Sequence, residues 1–487
     1  MLLATAATAA ACAGPGGVRF QQATPEGAKE DFRDLPIPEL YEGELDGTTR
    51  RFELTAQSGQ AEILPGTMTH TWGFNGAWLG PTLYMRRGEH IEMAVHNNVR
   101  EPTVVHWHGL HLPAAADGGP ALIFDPGQAW EPTWDVDQPA ATCWYHPHPH
   151  NKSGLHAYRG LAGGLIVADD ESDALDLPHD YGVDDIPVII TDAKFGAGGQ
   201  LDESFDPDYG LLGDTPLING ITKPQFTATT RRVRLRLVNG ATMRFHHLVV
   251  GKPFQVIATD QGLLDAPVEA DGILLSPGER AEILVDLEPG KDLMLRSDGV
   301  PDGGGLPKED AANGFGLRDT FNLLKITGPD ESAPEVGEVP GMLVGVDKPD
   351  VSGAPERELA LSGFEINGQT MDMNRVDLVI DHDGPEIWRV TNENTDWPHN
   401  FHIHNARFMV ESVERGDVAF TRGWHDTIYI PPGATATLLV EFGHYPDPSL
   451  AYMYHCHMLY HEDQGMMGQY VIVEPGQQPA LGAHAGH

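Results

Sequence analysis

The chain has 487 residues, too many for one ordinary hydrophobic core, and this length favours roughly two to four domains. Its 71 acidic and 31 basic side chains give a formal net charge of −40, which argues against a nucleic-acid partner because a phosphate backbone would be repelled. The three cysteines cannot form a disulfide framework, and no apolar run reaches the length of a membrane span.

The first stretch, "MLLATAATAAACAGPGG", is rich in alanine and places Cys12 directly after three alanines, as in a degenerate lipoprotein cleavage site. No basic segment precedes it, so a lipid anchor at Cys12 and a plain alanine-rich leader both remain open. We expect residues 1–40 to be an export leader and linker, and the protein to work in the periplasm, at the cell surface or outside the cell.

The remainder of the chain repeats one unit three times. Each copy has an Asn-Gly turn, then a strand-like run, then a histidine-bearing strand and finally a Pro-Gly turn. The Asn-Gly turns are at Asn75-Gly76, Asn219-Gly220 and Asn367-Gly368, and the Pro-Gly turns are at Pro126-Gly127, Pro277-Gly278 and Pro432-Gly433. Abundant glycine and proline, 56 and 38 residues, with β-branched runs between the turns, favour an all-β protein.

We therefore predict three β-sandwich domains of similar plan, separated by acidic or Pro/Gly-rich breaks near residues 168–180 and 328–341. Their predicted bounds are 41–170, 171–335 and 340–487. The middle copy keeps His246 and His247 but lacks an alternating pair of histidines, and its later Pro-Gly segment carries none. We expect the middle domain to hold no metal and to act as a spacer.

Four His-x-His pairs occupy matching places in the first and third copies, namely His106/His108, His146/His148, His402/His404 and His455/His457. Alternate residues of a strand face the same side of the sheet, with their Cα atoms roughly 6.6 Å apart. Two imidazoles at this spacing reach neighbouring ions more easily than they chelate one ion. The eight histidines therefore predict a cluster of several metal ions.

Cys456 lies between two of these histidines, so the same alternation sends its side chain to the opposite face of the strand. His461 follows five residues later and Met466 follows ten residues later. A thiolate, two imidazoles and an axial thioether form the blue-copper ligand set, and His399 in "HNFHIH" can supply the second imidazole. We assign Met467, beside the axial candidate, to core packing.

These segments resemble the four copper-binding motifs of the multicopper oxidases, a family that includes laccases, ascorbate oxidase and the bacterial cuprous oxidases. The four motifs are "HWHGLHLP", "WYHPHPH", "HNFHIHN" and "HCHMLYHEDQGMM". The residues around the second motif are most similar to the bacterial three-domain branch, and the resemblance spans about residues 45–475. It implies three cupredoxin-like Greek-key β-sandwich domains and four copper ions per chain, with a three-copper cluster between the first and third domains.

Carried over by position, the resemblance divides each histidine pair between two coppers. The type 1 copper would be held by His399, Cys456, His461 and Met466, and the type 2 copper by His106 and His402. One type 3 copper would be held by His108, His146 and His457, and the other by His148, His404 and His455. We expect His111, His150 and His156, which fall outside the pattern, beside the ligands or at the surface. Asn400 and Asn405 replace the usual proline and glycine, which alters nearby hydrogen bonds but removes no ligand.

The resemblance also implies the chemistry of the site. Single electrons from a reductant would reach the type 1 copper and pass along the Cys456 strand to the cluster, where dioxygen becomes two waters. Asp117, eleven residues after His106, and Glu462, next to His461, match acidic residues that supply protons in the family. A turn aspartate and a solvated glutamate are the alternatives for these two positions.

The reductant is less defined by the sequence. Phenols and aromatic amines, as for laccases, are one class, and Cu(I), Fe(II) or Mn(II) are the other. Bacterial cuprous oxidases often carry a methionine-rich insert over the type 1 site, whereas the region between the second break and Asn367 holds only Met342. We therefore expect the edge of His461 to be open to bulky organic reductants, and the protein to be a monomer whose partners are dioxygen and this reductant.

Several other functions compete with a laccase-type oxidase. A metallo-hydrolase is disfavoured because Leu110 occupies the aspartate position of its H-x-H-x-D-H signature in "HWHGLH". Some cupredoxin-fold relatives have lost copper and serve structural or division roles, but such loss removes ligands, and all twelve expected side chains are present. Copper storage or delivery, and a dedicated cuprous or metal oxidase for copper tolerance, would use the same ligands.

Overall fold

The structure is a computed structural model that describes residues 31–301, 305–381, 384–415 and 420–481. Over these residues the backbone forms six β-sheets and only short helices, which confirms the all-β prediction. The segment around Cys12 lies outside the described residues. Among the residues that are described, no helix is both long enough and apolar enough to cross a membrane.

Two sheets with a shared apolar core form the first sandwich. The first twelve strands are β1 (Arg33–Asp34), β2 (Leu40–Tyr41), β3 (Glu44–Asp46), β4 (Thr49–Ala61), β5 (Thr69–Phe74), β6 (Thr82–Arg86), β7 (His90–Asn98), β8 (Val105–His108), β9 (Ala129–Trp130), β10 (Thr133–Asp135), β11 (Ala141–Pro147) and β12 (Gly163–Ala168). One sheet has the order β2-β6-β12-β11-β8, and the other has β10-β7-β4-β3 with β5 beside β4 and β9 beside β7. Helices α1 (Ala114–Asp117) and α2 (Ser153–Tyr158) and a 3-10 turn at Pro120–Leu122 lie in its loops.

The second sandwich follows helix α3 (Asp170–Asp173). Its strands are β13 (Asp185–Ala193), β14 (Thr215–Ile218), β15 (Pro224–Thr227), β16 (Arg232–Asn239), β17 (His246–Val249), β18 (Phe254–Thr259), β19 (Gly262–Ala270), β20 (Ile273–Leu275), β21 (Arg280–Asp286), β22 (Asp292–Asp298) and β23 (Phe321–Thr327). The two sheets are β14-β13-β16-β21-β18-β19 and β1-β15-β23-β22-β17-β20, so the segment before the first sandwich adds its strand β1 to the second. A 3-10 turn at Ala197–Gly199 and helix α4 (Glu309–Gly314) lie in the loops.

The third sandwich contains the remaining strands. They are β24 (Glu356–Ser362), β25 (Glu365–Ile366), β26 (Leu378–Ile380), β27 (Glu386–Asn392), β28 (His399–Ile403), β29 (Ala406–Val413), β30 (Thr427–Ile430), β31 (Thr435–Phe442), β32 (Tyr452–His455) and β33 (Met467–Ile472). The sheets are β25-β24-β27-β31-β29 and β26-β33-β32-β28-β30, and helix α5 (Leu459–Asp463) connects β32 to β33.

The strands form where the sequence alternates between apolar and polar residues. Along β4, Phe52, Leu54 and Ala56 are buried, and the residues between them are exposed or partly exposed. The parallel neighbour β7 alternates in the same way, so both strands turn one face to the core and the other outward. This period of two also fixes which histidines of a strand share a face.

The three Asn-Gly turns have the same geometry in each sandwich. The asparagines adopt positive φ angles of 54°, 48° and 53° at Asn75, Asn219 and Asn367. Each side-chain oxygen accepts a hydrogen bond from a backbone N–H of an early strand of its own sandwich, at 2.7 to 2.8 Å. Asparagine suits this place because it tolerates the left-handed region and bonds locally to the backbone.

Candidate metal centres

The four histidine pairs lie on adjacent antiparallel strands, or directly after them. In the first sandwich His106 on β8 lies opposite His146 on β11, and in the third His402 on β28 lies opposite His455 on β32. All eight rings are at most 1% exposed. The alternation of the strands turns both members of a pair to one side, and the pairs of the two sandwiches meet at the interface between them.

Three groups of ring nitrogens converge at this interface, each within 4.8 Å. They are His108/His146/His457, His148/His404/His455 and His106/His402/His404. In the first group, Nε2 of His457 lies 3.0 Å from Nδ1 of His108 and 3.3 Å from Nε2 of His146. Two nitrogens that are each about 2.0–2.1 Å from one ion stand roughly 3.3 Å apart in a tetrahedral site, so these rings fit a shared metal ion.

His106 and His402 each direct a free Nε2 atom into the interface. Nδ1 of His106 lies 2.9 Å from the backbone carbonyl of Asp117, and Nδ1 of His402 lies 2.9 Å from that of Asp426. A ring that donates from Nδ1 keeps Nε2 unprotonated and available to a metal. Both Nε2 atoms are buried and have no hydrogen-bond partner within the described ranges, which is unfavourable unless an ion binds there.

Asp117 joins the first sandwich to the third through His404. Its Oδ2 lies 2.7 Å from Nδ1 of His404, at the distance of a hydrogen bond donated by the ring. Its Oδ1 is buried, lies 3.6 Å from Nδ1 of His106 and has no hydrogen-bond partner in the part of the chain that is described. Burial raises the pKa of Asp117 well above its usual value. Asp117 ends α1, so it is a turn residue by local structure, but its carboxylate faces the histidine cluster.

Asp426 holds a corresponding position in the third sandwich, and the sequence did not single it out. Its Oδ1 lies 3.0 Å from Nε2 of His108. Arg280 donates to its two carboxylate oxygens at 2.6 and 2.7 Å, and Gln261 donates to Oδ2 at 2.6 Å. Burial opposes ionisation, but Arg280 holds the pKa of Asp426 well below its usual value. Spacing could not reveal this contact, because 318 residues separate Asp426 from His108.

Glu462 on α5 lies behind the second group of histidines. Its carboxylate oxygens are 3.5 Å from Nδ1 of His148 and 3.3 Å from Nδ1 of His455. It is 1% exposed, so it is not a solvated glutamate. Burial, and then the neighbouring Asp463, raise the pKa of Glu462 well above its usual value. Asp463 accepts hydrogen bonds from the first two backbone N–H groups of α2, at 2.8 and 3.0 Å, which ties α5 to the first sandwich.

Cys456 forms a second centre with two imidazoles. Its Sγ lies 3.6 Å from Nδ1 of His399 and 3.6 Å from Nδ1 of His461, and these two nitrogens are 3.2 Å apart. A metal about 2.3 Å from sulfur and about 2.0 Å from nitrogen separates such ligands by roughly 3.5 Å. Burial raises the pKa of the Cys456 thiol to about 12, so a thiolate here needs a bound cation. Met466 is buried in the same apolar cluster, and its carbonyl accepts from the Cys456 N–H at 3.2 Å.

Asn400 contacts the Cys456 centre, whereas Met467 packs away from it. Asn400 accepts a hydrogen bond from the His457 N–H at 2.7 Å, and its Oδ1 lies 3.5 Å from Sγ of Cys456. Its amide donates to the carbonyl of Pro277 in the second sandwich at 2.7 Å. Met467 lines a small pocket on β33, which is consistent with packing rather than with an axial ligand.

Comparison with known proteins decides the family. Multicopper oxidase domain models match residues 55–172, 199–306 and 344–476. The chain is 34% identical over 446 residues to multicopper oxidase mco of Staphylococcus haemolyticus, which covers 90% of this chain and 92% of that protein. The chain belongs to the multicopper oxidase family.

This multicopper oxidase is also similar to a laccase of known structure and to a cell division protein. It is similar to a laccase from Pediococcus acidilactici, with a TM-score of 0.82 and 34% identity over 92% of this chain and 95% of that chain. This match confirms the cupredoxin-like sandwiches and the predicted bacterial three-domain branch. It is also 34% identical over 462 residues to the cell division protein FtsP of Xenorhabdus nematophila, covering 91% of this chain and 93% of that protein. The family implies copper, and thiolate and imidazole donors suit that metal.

The ring of His461 is not open to solvent, so our expectation of an exposed edge from the missing methionine-rich insert was wrong. His461 is 0% exposed. Trp397 stacks on its ring with the centroids 5.6 Å apart and the planes at 23°. The rings of Phe364 and Phe315 pack against the same imidazole, with centroid distances of 5.3 and 6.1 Å. Because Phe315 follows α4 in the second sandwich, two domains together cover the position that an insert covers elsewhere.

The other histidines that the sequence analysis singled out lie outside the groups of metal donors formed by the described residues. His111 and His150 are partly exposed, whereas His156 is buried beside an acidic side chain 3.5 Å away. His246 and His247 lie on β17 of the second sandwich, where Nδ1 of His246 is 3.0 Å from a serine hydroxyl. This contact fits a structural role for His246.

Proposed function

We propose that the chain is a copper-dependent oxidase that takes single electrons from a small reductant and uses four of them to reduce dioxygen to two waters. The observation that supports this most is the completeness of the donor set, in which three groups of histidines and one thiolate group are assembled in the buried interior. Bound copper supplies the one-electron redox chemistry that side chains lack. Cys456 is flanked directly by His455 and His457, so one short stretch of backbone joins the two centres.

In this proposal four copper ions divide the donors. Type 1 copper takes His399, Cys456, His461 and Met466, type 2 copper takes His106 and His402, and the two type 3 coppers take His108/His146/His457 and His148/His404/His455. His404 lies near two of these groups, and we assign it to the second type 3 ion because its Nε2 is 3.1 Å from Nε2 of His455.

Three acidic side chains lie beside the histidine cluster, and we propose two different roles for them. Asp117 orients His404 through Nδ1, and its Oδ1, which accepts no hydrogen bond from the described residues, can hold a proton for delivery to reduced dioxygen. Glu462 can do the same from the other side, beside His148 and His455. Asp426 is fixed as an anion by Arg280 and orients His108. We propose Asp117 and Glu462 as the proton donors, and Asp426 as a positioning residue.

The reductant is a phenol or aromatic amine in this proposal, and a dedicated metal oxidase is the second candidate. A non-catalytic copper protein is the third, since relatives of this chain include proteins named for cell division. The full ligand set favours an oxidase over the third candidate. We also propose export, on the basis of the alanine-rich first residues.

Oxygen uptake separates the three candidates. The copper-loaded protein should consume dioxygen with 2,6-dimethoxyphenol in the absence of added Cu(II), and the same protein stripped of copper should not. Comparison of kcat/KM for this phenol with that for Cu(I) ranks the two substrate classes. Uptake with phenol only in excess Cu(II) would indicate a dedicated metal oxidase. A fully copper-loaded protein that consumes no dioxygen with phenols, Cu(I) or Fe(II) would contradict the proposed function.

A further inference from the structure

Five aromatic side chains from five separate segments form a continuous layer over His461. We call this layer the aromatic cover, and its members are Tyr209, Phe315, Phe364, Trp397 and Tyr460. Trp397, Phe364 and Phe315 contact the His461 ring itself. Farther from the imidazole, the ring of Tyr209 packs on Phe315 with a centroid distance of 4.9 Å, and the ring of Tyr460 packs on Phe364 with a centroid distance of 5.8 Å. Four of the five are partly exposed, so the cover reaches from the buried imidazole to solvent.

The cover separates His461 from any reductant. Nδ1 of His461 faces Sγ of Cys456 at 3.6 Å, and Nε2 is fully buried with no hydrogen-bond partner over the described residues. A molecule in solution therefore cannot touch the imidazole and must exchange electrons through the aromatic rings. Trp397 is the best placed, because it stacks on the imidazole almost in parallel and is itself partly exposed.

Carboxylates surround the cover. Asp206 and Asp208 flank Pro207, whose carbonyl accepts a hydrogen bond from the Tyr460 hydroxyl at 3.2 Å, and Asp396 directly precedes Trp397. Burial raises the pKa of the Tyr209 phenol, and Asp208, Asp206, Asp310 and Asp396 add to the rise. Asp206 and Asp208 act on Tyr460 in the same way, after burial. The whole chain carries a formal net charge of −40, so the long-range field also attracts cations. The carboxylates beside the cover and the chain as a whole are therefore both negative.

We infer that the aromatic cover is the docking site for an aromatic reductant that carries a positive charge, and that this reductant stacks on Trp397. This inference rests on the proposed oxidase function and specifies its substrate class. An aromatic ring matches the exposed rings of the cover, and a cationic group is attracted both by aromatic faces and by the four carboxylates. A neutral phenol matches only the rings, and a hydrated metal ion matches only the carboxylates.

The redox step balances with four such molecules. Each docked phenol or aromatic amine, with its cationic group unchanged, gives up one electron through the contact between Trp397 and His461 and one proton to solvent, and leaves as a radical. Four electrons and four protons convert one dioxygen into two waters. No further oxidant or reductant is needed.

Calorimetry with a redox-inert probe tests the docking site without turnover. Phenyltrimethylammonium should bind to the copper-loaded protein at low ionic strength, and benzenesulfonate should not. Trp397→Leu should weaken binding of the cation about fivefold, and Trp397→Phe should largely restore it. The blue absorption of both variants checks that the type 1 site is intact. Equal binding of the cation to wild type and Trp397→Leu would overturn the inference.

Three phenols of different charge test the same site during turnover. KM should rise in the order tyramine, 4-ethylphenol and 4-hydroxyphenylacetate, and kcat should change little. The double variant Asp208→Asn/Asp396→Asn should bring the three KM values closer together, as should added salt. Asp271→Asn, in an exposed turn of the second sandwich, is the matched control and should leave the order unchanged. Three equal KM values in wild type would contradict the inference.

The failure of the proposed function is distinguishable from failure of this inference. If no reductant supports oxygen uptake, the oxidase function fails, and the calorimetry alone decides whether the aromatic cover binds aromatic cations. If Fe(II) is oxidised in a manner that depends on the aspartates but not on Trp397, the surface is a metal-ion site and the inference is wrong.

Discussion

Two aspartates at the cluster show how the same side chain takes different roles. The carbonyls of Asp117 and Asp426 each lie 2.9 Å from the first histidine of a pair in their own sandwich, and their carboxylates face the second histidine of a pair in the other sandwich. Their charged neighbours differ. Arg280 binds both oxygens of Asp426, whereas one oxygen of Asp117 has no hydrogen-bond partner in the described structure and lies 3.6 Å from Nδ1 of His106. Asp426 therefore stays ionised, and Asp117 can carry a proton.

Replacement of Asp117 by Asn tests this difference. The amide oxygen can still accept the hydrogen bond of His404, but the group no longer titrates. We expect normal copper content, normal bleaching of the blue copper by substrate without oxygen, and a fall in dioxygen turnover of about 10²-fold or more. Metal analysis, anaerobic stopped-flow absorption and an oxygen electrode measure the three quantities. Wild-type turnover across the pH range would show that Asp117 is only a turn residue.

At the scale of elements, the Pro-Gly turn of the middle copy reaches the histidine cluster although it carries no ligand. Gly278 has a φ of 90°, and a Cβ there would lie 2.9 Å from Nδ1 of His457 and 3.1 Å from Cε1 of His108. The equivalent turn of the first copy has Gly127 at a φ of 83° with nothing within 4 Å of a Cβ. The middle domain is therefore more than the spacer that its lack of histidine pairs suggested.

The two glycines make a matched pair of variants. Gly278→Ala and Gly127→Ala both place a side chain in the left-handed region, which costs about 1–2 kcal/mol. Only Gly278→Ala also presses on His457 and His108. We expect a loss of thermal stability in both variants, larger in Gly278→Ala, and a changed electron paramagnetic resonance spectrum and lower copper content only in Gly278→Ala. An unaltered cluster in Gly278→Ala would show that this turn can move away from the histidines.

At the scale of the whole molecule, Arg280 ties the three sandwiches together. Its guanidinium donates to the carbonyl of Thr142 in the first sandwich at 3.1 Å and to that of Asp260 in its own sandwich at 2.8 Å. It also donates to both carboxylate oxygens of Asp426 in the third sandwich, at 2.6 and 2.7 Å. Gln261 adds a second bridge, because its amide donates to Asp426 and to the carbonyl of Gly109. The cluster between the first and third sandwiches is thus supported by the second.

Arg280→Leu leaves Asp426 as a buried charge without its partner. Loss of one member of a buried ion pair costs about 3–5 kcal/mol, so we expect a large fall in the thermal midpoint. The double variant Arg280→Leu/Asp426→Asn should recover part of the loss, because no unpaired anion remains. Arg51→Leu, which breaks an exposed pair with Glu92, is the control and should leave the midpoint nearly unchanged. Equal midpoints for Arg280→Leu and Arg51→Leu would contradict this account.

The sequence predicted those features that depend on neighbouring residues, and missed those that depend on packing between domains. The period of two on a strand placed the histidine pairs on one face and Cys456 on the other, and the repeated turns predicted three sandwiches. Asp426 and Arg280 are 146 residues apart, and their contact exists only when the second and third sandwiches pack together. The aromatic cover of His461 likewise combines segments of two domains. We expected an exposed edge at His461 because the sequence shows that a methionine-rich insert is missing. It does not show which side chains from other segments pack over the ring.

The most direct test of the central claim measures copper and blue absorption in Cys456→Ser. We expect four copper ions per wild-type chain and an intense blue band from the thiolate ligand. Replacement of Cys456 removes the only soft anionic donor of the second centre and leaves the eight paired histidines intact. The variant should lose the blue band and keep about three copper ions per chain. A blue band that persists in Cys456→Ser, or a wild-type protein that binds a single copper ion, would contradict the account.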